Sequence, residues 1–282
     1  MRIANLSGRL VIVSGDAAFD VALLSAGRFS SNPQAVFDRW AEFVEWGKEA
    51  DLAAGAGGVI DSADLESPAP LPRQIFAIGL NYHDHASEVG LVASEVPVVF
   101  TKFASSIAGP LADIPHPGGD LDWEVELVVV MGAEARNVTP DDAWNYVAGL
   151  TVGQDISERV TQHAGVTPQF SLGKSFAAFS PMGPWIVTPD EFPDPDDLAL
   201  STVVNGETLQ DGRTSDMVAS VSMLIAALSK ILVLLPGDVI FTGTPAGVGL
   251  GMKPPRYLTV GDELVTRIEG IGEMRNRIVG AV

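Results

Sequence analysis

From Ile75 onward the sequence breaks into short apolar runs punctuated by glycine and proline, and this rhythm limits the folds open to the chain more than any other feature. IFAIGL, VPVVFTKF, VELVVVMG, PWIVTP, LALSTVVNG, GDVIFTGTP and DELVTRIEG are rich in β-branched residues and bounded by turn formers, the pattern of strands. One helix is predicted within this region, from about Asp216 to Leu235. Met217, Val221, Leu224, Ile225, Leu228, Ile231 and Leu232 recur there at helical spacing, and Pro236-Gly237 ends it. The expected fold class is α+β, predominantly β.

The first 65 residues read as a small α/β unit of their own. RIANL and RLVIVSG are short strands, and PQAVFDRWAEFVEWGKEA sets Val36, Phe37, Trp40, Phe43, Val44 and Trp46 along one side of a helix. The proline- and acid-rich DSADLESPAPLPRQ, 61–74, reads as a linker. The expected division is 1–65 and 66–282.

Composition removes several function classes. Thirty-six acidic residues against 17 Lys and Arg give a net charge of −19, which leaves no basic stripe for nucleic acid. There is no cysteine, so thiolate zinc sites and cysteine nucleophiles are excluded. The N-terminus lacks the pattern of a secretory signal. The longest apolar segment is interrupted by Ser220, Ser222, Ser229 and Lys230, so it reads as a buried helix and no membrane span is expected. A cytoplasmic protein is the expectation.

Within LDWEVELVVV, 121–130, a strand would put Asp122, Glu124 and Glu126 on one face with Val128 and Val130. Two readings remain open: the face meets solvent, or the glutamates converge on a cation. Asp155, in VGQDISER, offers a third carboxylate. An all-oxygen site suits Mg²⁺ or Mn²⁺, with Ca²⁺ also admissible, and water or substrate oxygens would complete it.

GLNYHDHASEVG, 79–90, sets His85 and Glu88 three residues apart, neighbours if a helical turn starts there. A carboxylate that orients an imidazole is the arrangement of a general base acting on water. His83 with His85, completed by His116 and His163, is a weaker zinc alternative. Arg159 and Gln162 can hold a substrate carboxylate, and Lys174 can stabilise developing negative charge. Ordinary surface ion pairs are the competing reading for both basic residues. FTGTPAGVG, 241–249, is a glycine-rich loop whose N–H groups can cradle an anion, without the lysine of a nucleotide site.

Together, GLNYHDHASE, DWEVEL, GQDISER, GKSFAAFSPMGP, NGETLQDGRTSDM and LLPGDVIFTGTPAGVG closely resemble the fumarylacetoacetate hydrolase family over residues 73–280. The resemblance implies a mixed-sheet incomplete barrel behind a small N-terminal domain, a homodimer and a divalent metal. It implies metal ligation by Glu124, Glu126 and Asp155, and water activation by His85 and Glu88. Arg159, Gln162, Lys174 and Thr244 become expected substrate contacts. Phe103 and Ala177 stand where the family often has proline and aspartate, and GQD replaces the more frequent ND.

The leading expectation is metal-dependent hydrolysis of a C–C bond in a small β-diketo acid such as an acylpyruvate, with Lys174 catalytic beside the His–Glu pair. The alternatives are decarboxylation of an oxaloacetate-type acid and isomerisation of a 2-hydroxy-dienedioate. A non-catalytic metal- or ligand-binding protein is the reading from a different class.

Overall fold

The strand Val125–Met131 is buried along its whole length. Its two faces feed two different cores. Val125, Leu127 and Val129 pack with the helix Val221–Ser229 and with Leu200, Ile268 and Met274, while Val128 and Val130 pack with Phe37, Trp40 and Phe43 of the N-terminal region. A strand covered on both faces needs an apolar run rather than an alternating pattern, which VELVVVM supplies apart from Glu126.

This computed structural model of the chain describes residues 1–55, 57–92 and 96–281. Val125–Met131 is central in a twelve-stranded mixed sheet, between Val147–Gln154 and Val239–Phe241, both antiparallel to it. Val239–Phe241 in turn runs parallel to Ile75–Gly79, whose other neighbour is the edge strand Val98–Thr101. A five-stranded sheet built around Ala199–Val204, Glu263–Ile268 and Gly272–Val279 packs across the first. Neither sheet closes into a barrel, and strand outweighs helix.

The N-terminal strands join the large sheet rather than standing apart from it. Arg2–Leu6 pairs antiparallel with Ser180–Val187, and Leu65–Glu66, inside the expected linker, pairs with Arg2–Leu6. The aromatic stripe of residues 34–49 forms a 3₁₀ turn and then the helix Trp40–Glu49, and buries Val36, Phe37, Trp40 and Phe43.

Two expectations need correction. The helix foreseen from Asp216 to Leu235 spans only Val221–Ser229. Ser220 caps its start by accepting the Met223 N–H. Beyond Ser229 the chain leaves the helix, so that Leu234 can exchange backbone hydrogen bonds with Ala135. The continuous strand expected over 121–130 is also broken. Leu121–Asp122 pairs with Ser157–Glu158, and the ladder resumes at Val125.

Candidate active site

The break in that strand positions the carboxylates. Between its two halves, side-chain amides replace ladder partners: Gln154 Oε1 accepts the Glu124 N–H at 2.8 Å and Gln210 Oε1 accepts the Val125 N–H at 2.9 Å. The Glu124 carbonyl accepts the Asp155 N–H. Glu124, Glu126 and Asp155 thereby converge, with one oxygen of each lying within 4.8 Å of the other two. All three are buried, so the solvent reading of this face is excluded.

Cations compensate part of this charge. Lys174 Nζ lies 2.8 Å from Glu124 Oε2 and 2.7 Å from Asp155 Oδ2. Lys102 Nζ, also buried, bonds Asp155 Oδ1 and the Lys174 carbonyl. Arg159 pairs with Asp122 Oδ2 at 2.6 Å and with Glu124 Oε1 at 2.8 Å. Four buried carboxylates, counting Asp122, thus face three buried cations. Glu126 is the one without a basic partner among the described residues; it accepts only the Gly243 N–H, at 2.8 Å.

The proton affinities follow from that geometry. Burial pushes Glu126 well above the usual carboxylate range, and the Asp155 and Glu124 charges push it further. Burial would raise Glu124 too, but Lys174, Arg159 and His85 outweigh it and hold it at about 2. Burial lowers Lys102 against the pull of Asp155, whereas Asp155 and Glu124 overcome burial at Lys174 and raise it.

His85 lies on the short helix His83–Glu88, with Nδ1 2.8 Å from Glu88 Oε1. A carboxylate only accepts, so Nδ1 carries the hydrogen and Nε2 is left as the basic nitrogen. Glu88 is fixed in turn by the Gly247 N–H, 3.0 Å from its Oε2. The glycine-rich loop therefore does cradle anions, but they are the chain's own: Gly243 serves Glu126, Gly247 serves Glu88, and Gly249 and Leu250 serve Asp122.

A cavity of about 200 Å³ opens onto this cluster, lined by His85, Glu124, Arg159, Gln162, Lys174 and Thr244 and by several apolar side chains. Gln162 Oε1 accepts from Arg159 Nη1 at 2.9 Å. Arg159 Nη2, although close to Asp122, has no aligned acceptor and is left with buried N–H capacity. The helical turn Arg159–Gln162 that carries both is capped by Glu158, which accepts the Val160 and Thr161 N–H groups. Thr244 is buried, and its hydroxyl accepts from Gln210 Nε2 at 2.7 Å.

Every residue singled out in the sequence for this site is thus brought to one place. The zinc alternative is not supported: among the described residues the acidic triad is the one group of three or more ligand-type side chains that converges. His83 is exposed, and His116 is engaged by the Leu258 carbonyl and the Gly118 N–H. Lys102, Asp122, Gln154 and Gln210 are site residues to which sequence reasoning gave no role. An aspartate in phase with the two glutamates was the available signal.

Comparison with known proteins defines the class. The family model for the fumarylacetoacetate hydrolase C-terminal domain matches residues 74–279, and the chain belongs to that family. It is 42% identical over 215 residues to human mitochondrial oxaloacetate tautomerase FAHD2A, covering 76% of this chain and 68% of that protein. Among solved structures, an HpcE-type protein from Mycobacterium smegmatis superposes with TM-score 0.96 at 55% identity over the whole of both chains. Maleylpyruvate hydrolase from Sphingobium sp. SYK-6, solved with manganese(II) and pyruvate, superposes with TM-score 0.82 at 30% identity, again over both whole chains. Two of these relatives are thus named as enzymes, one for oxaloacetate and one for maleylpyruvate. No helix among the described residues is long and apolar enough to cross a membrane.

Proposed function

We propose that the protein hydrolyses a C–C bond in a 2,4-diketo acid of the acylpyruvate kind, and that Glu124, Glu126 and Asp155 hold the divalent cation this requires. The observation that carries the metal assignment is the imbalance at Glu126, a buried carboxylate with no cation of its own beside two others. Three converging carboxylates with open positions suit a hard cation, Mg²⁺ or Mn²⁺. When bound, such an ion supplies Lewis-acid stabilisation of enolate charge and a template for adjacent keto and carboxylate oxygens.

The chain's own groups account for the rest. Arg159 Nη2 and Gln162 bind the substrate carboxylate. His85, oriented by Glu88, takes a proton from water through Nε2, and the hydroxide adds to the C4 carbonyl. Lys174 and Thr244 border the developing oxyanion, with Lys174 donating to it. Collapse breaks the C3–C4 bond and leaves the electron pair on the C3–C2–O2 enolate. His85 then returns its proton to C3, giving pyruvate and a carboxylic acid.

A second reading has a specific basis. A base that returns a proton to C3 can also interconvert keto and enol forms without hydrolysis, as the name of the human relative states for oxaloacetate. Acetylpyruvate assayed with Mg²⁺, with and without EDTA, separates the two. Equal amounts of pyruvate and acetate, lost with EDTA and restored by metal, support hydrolysis. Accelerated keto–enol exchange without either product supports the tautomerase. A homodimer and a catalytic unit from residue 66 onward complete the proposal.

A further inference from the structure

The apolar side of the cavity bears on the part of the substrate that the polar groups do not touch. Ile78, Val89, Leu91, Phe100, Phe170 and Leu250 line it. Three contacts give the wall an order from inside to outside. The Phe100 ring centroid lies 5.3 Å from Lys174 Nζ, Phe170 meets Phe100 edge-on at 5.5 Å, and His163 meets Phe170 at 6.2 Å. Lys174 and Phe100 are buried, Phe170 is half-buried and His163 is exposed. An acid held by Arg159 and Gln162 at the inner end would extend its far end along these rings.

Among the described residues, nothing on that path answers a second negative charge. Among the described residues, the Lys and Arg side chains of the cavity wall are Arg159 and Lys174, both at the inner end: Lys174 is paired within the carboxylate cluster, and the spare Arg159 Nη2 is taken by the first carboxylate. His163 donates Nδ1–H to the Arg159 carbonyl, 2.9 Å away, because a carbonyl can only accept. Its neutral form therefore has no N–H left for a carboxylate. A carboxylate pressed against Phe100 and Phe170 would lose hydration without gaining a partner. The volume, about 200 Å³, is below that of pockets for drug-sized ligands, about 300–1,000 Å³, so the enclosed part of the cavity takes a short tail.

Resting on the site reading above, we infer that the substrate is a monocarboxylate whose acyl end is a short, uncharged apolar group seated on Phe100 and Phe170, and that dicarboxylic keto acids are discriminated against. This sets the chain apart from relatives named for oxaloacetate or maleylpyruvate.

Equilibrium binding tests it without relying on turnover. The Mg²⁺-loaded protein is titrated calorimetrically with 5-methyl-2-oxohexanoate and with 2-oxoglutarate, which share a 2-keto acid head and differ by an isopropyl group in place of a carboxylate. The expected result is at least about tenfold tighter binding of the branched acid, from the desolvation cost of an unpaired carboxylate. Equal or tighter binding of 2-oxoglutarate would overturn the inference and leave the metal site standing. Binding of neither acid would overturn the site reading itself, and the inference with it. Leu91→Arg, at an exposed position of the wall, should erase the preference by giving the second carboxylate a partner. A preference unchanged in that variant would contradict the placement of the tail.

Discussion

Glu124 and Glu126 lie two residues apart, both buried, and their protons are held in opposite directions. Lys174, Arg159 and His85 outweigh burial at Glu124 and keep it ionised down to about 2, whereas Glu126 is pushed well above the ordinary range by burial and by its carboxylate neighbours. One member of the pair is neutralised by the chain's own cations. The other has no basic partner among the described residues.

Glu126→Gln should therefore stabilise the metal-free protein while removing its function. An uncompensated buried carboxylate costs stability, and an amide of the same shape can still accept the Gly243 N–H. The gain at neutral pH should be on the order of 1 kcal/mol or more. Thermal unfolding in EDTA should show a higher Tm for the variant, and added Mg²⁺ should raise the Tm of the parent protein alone. A lower Tm for the variant in EDTA would mean that Glu126 is compensated in a way this geometry does not show.

The two glutamates also give opposite pH signatures to the metal-free protein. A depressed folded pKa contributes stability that is present above the unfolded value, about 4.3, so the Glu124 contribution is lost as pH falls from there toward about 2. A raised folded pKa has the reverse effect: the native state keeps a proton the unfolded state has lost, so the Glu126 contribution is lost as pH rises through its window. Denaturant melts of the parent and Glu126→Gln proteins in EDTA should diverge above about pH 4.3, with the parent falling behind. Curves that stay parallel would contradict the assigned shift.

His85→Ala should lower turnover by about 10²–10⁴-fold, the usual share of a general base. Glu88→Gln should act in the same direction through the orientation of the imidazole, with a smaller loss. Steady-state assays on acetylpyruvate read both effects. Undiminished kcat in His85→Ala would remove the imidazole from the chemistry.

Lys102→Met breaks a buried ion pair on one side and should cost about 3–5 kcal/mol in the metal-free protein. Asp155 would keep Lys174, so the fold has a second cation to fall back on. Added metal should recover part of the loss by replacing the missing charge. Chemical denaturation with and without Mg²⁺ measures this, and equal destabilisation in both states would place Lys102 outside the electrostatics of the site.

Gly243→Ala should destabilise the loop that holds Glu126. Its φ is +99°, and an added Cβ would lie 2.7 Å from the Asn81 Cβ and 3.1 Å from the Ile78 carbonyl. Left-handed strain of about 1–2 kcal/mol adds to the clash. A lowered Tm with weakened metal binding is expected; an unchanged metal affinity would show that the Gly243 N–H does not position Glu126.

Local signals in the sequence reached much of this arrangement. Apolar runs gave most strands of the large sheet, and the i, i+3 spacing of His85 and Glu88 gave their contact. What escaped depends on partners far along the chain. The strand break at Glu124 is made by Gln154 and Gln210, 30 residues from Glu124 and 85 from Val125, and nothing local to DWEVEL reports it. Lys102 is buried only because Asp155 and the Lys174 carbonyl meet it, so a lysine at the end of VVFTK reads as exposed until the fold is known. Glu207–Arg213 and Gly272–Val279 are mostly polar, partly solvated strands and lack the apolar runs that marked the others.

In the proposed site the two glutamates and Asp155 hold one metal ion, and the His–Glu pair stands beside it. Binding of Mn²⁺ to EDTA-treated protein, followed by electron paramagnetic resonance, tests it most directly. One Mn²⁺ per chain is expected in the parent and in His85→Ala, with binding abolished in Glu124→Ala. Normal Mn²⁺ affinity in Glu124→Ala, or its loss in His85→Ala, would rule out this assignment of ligands.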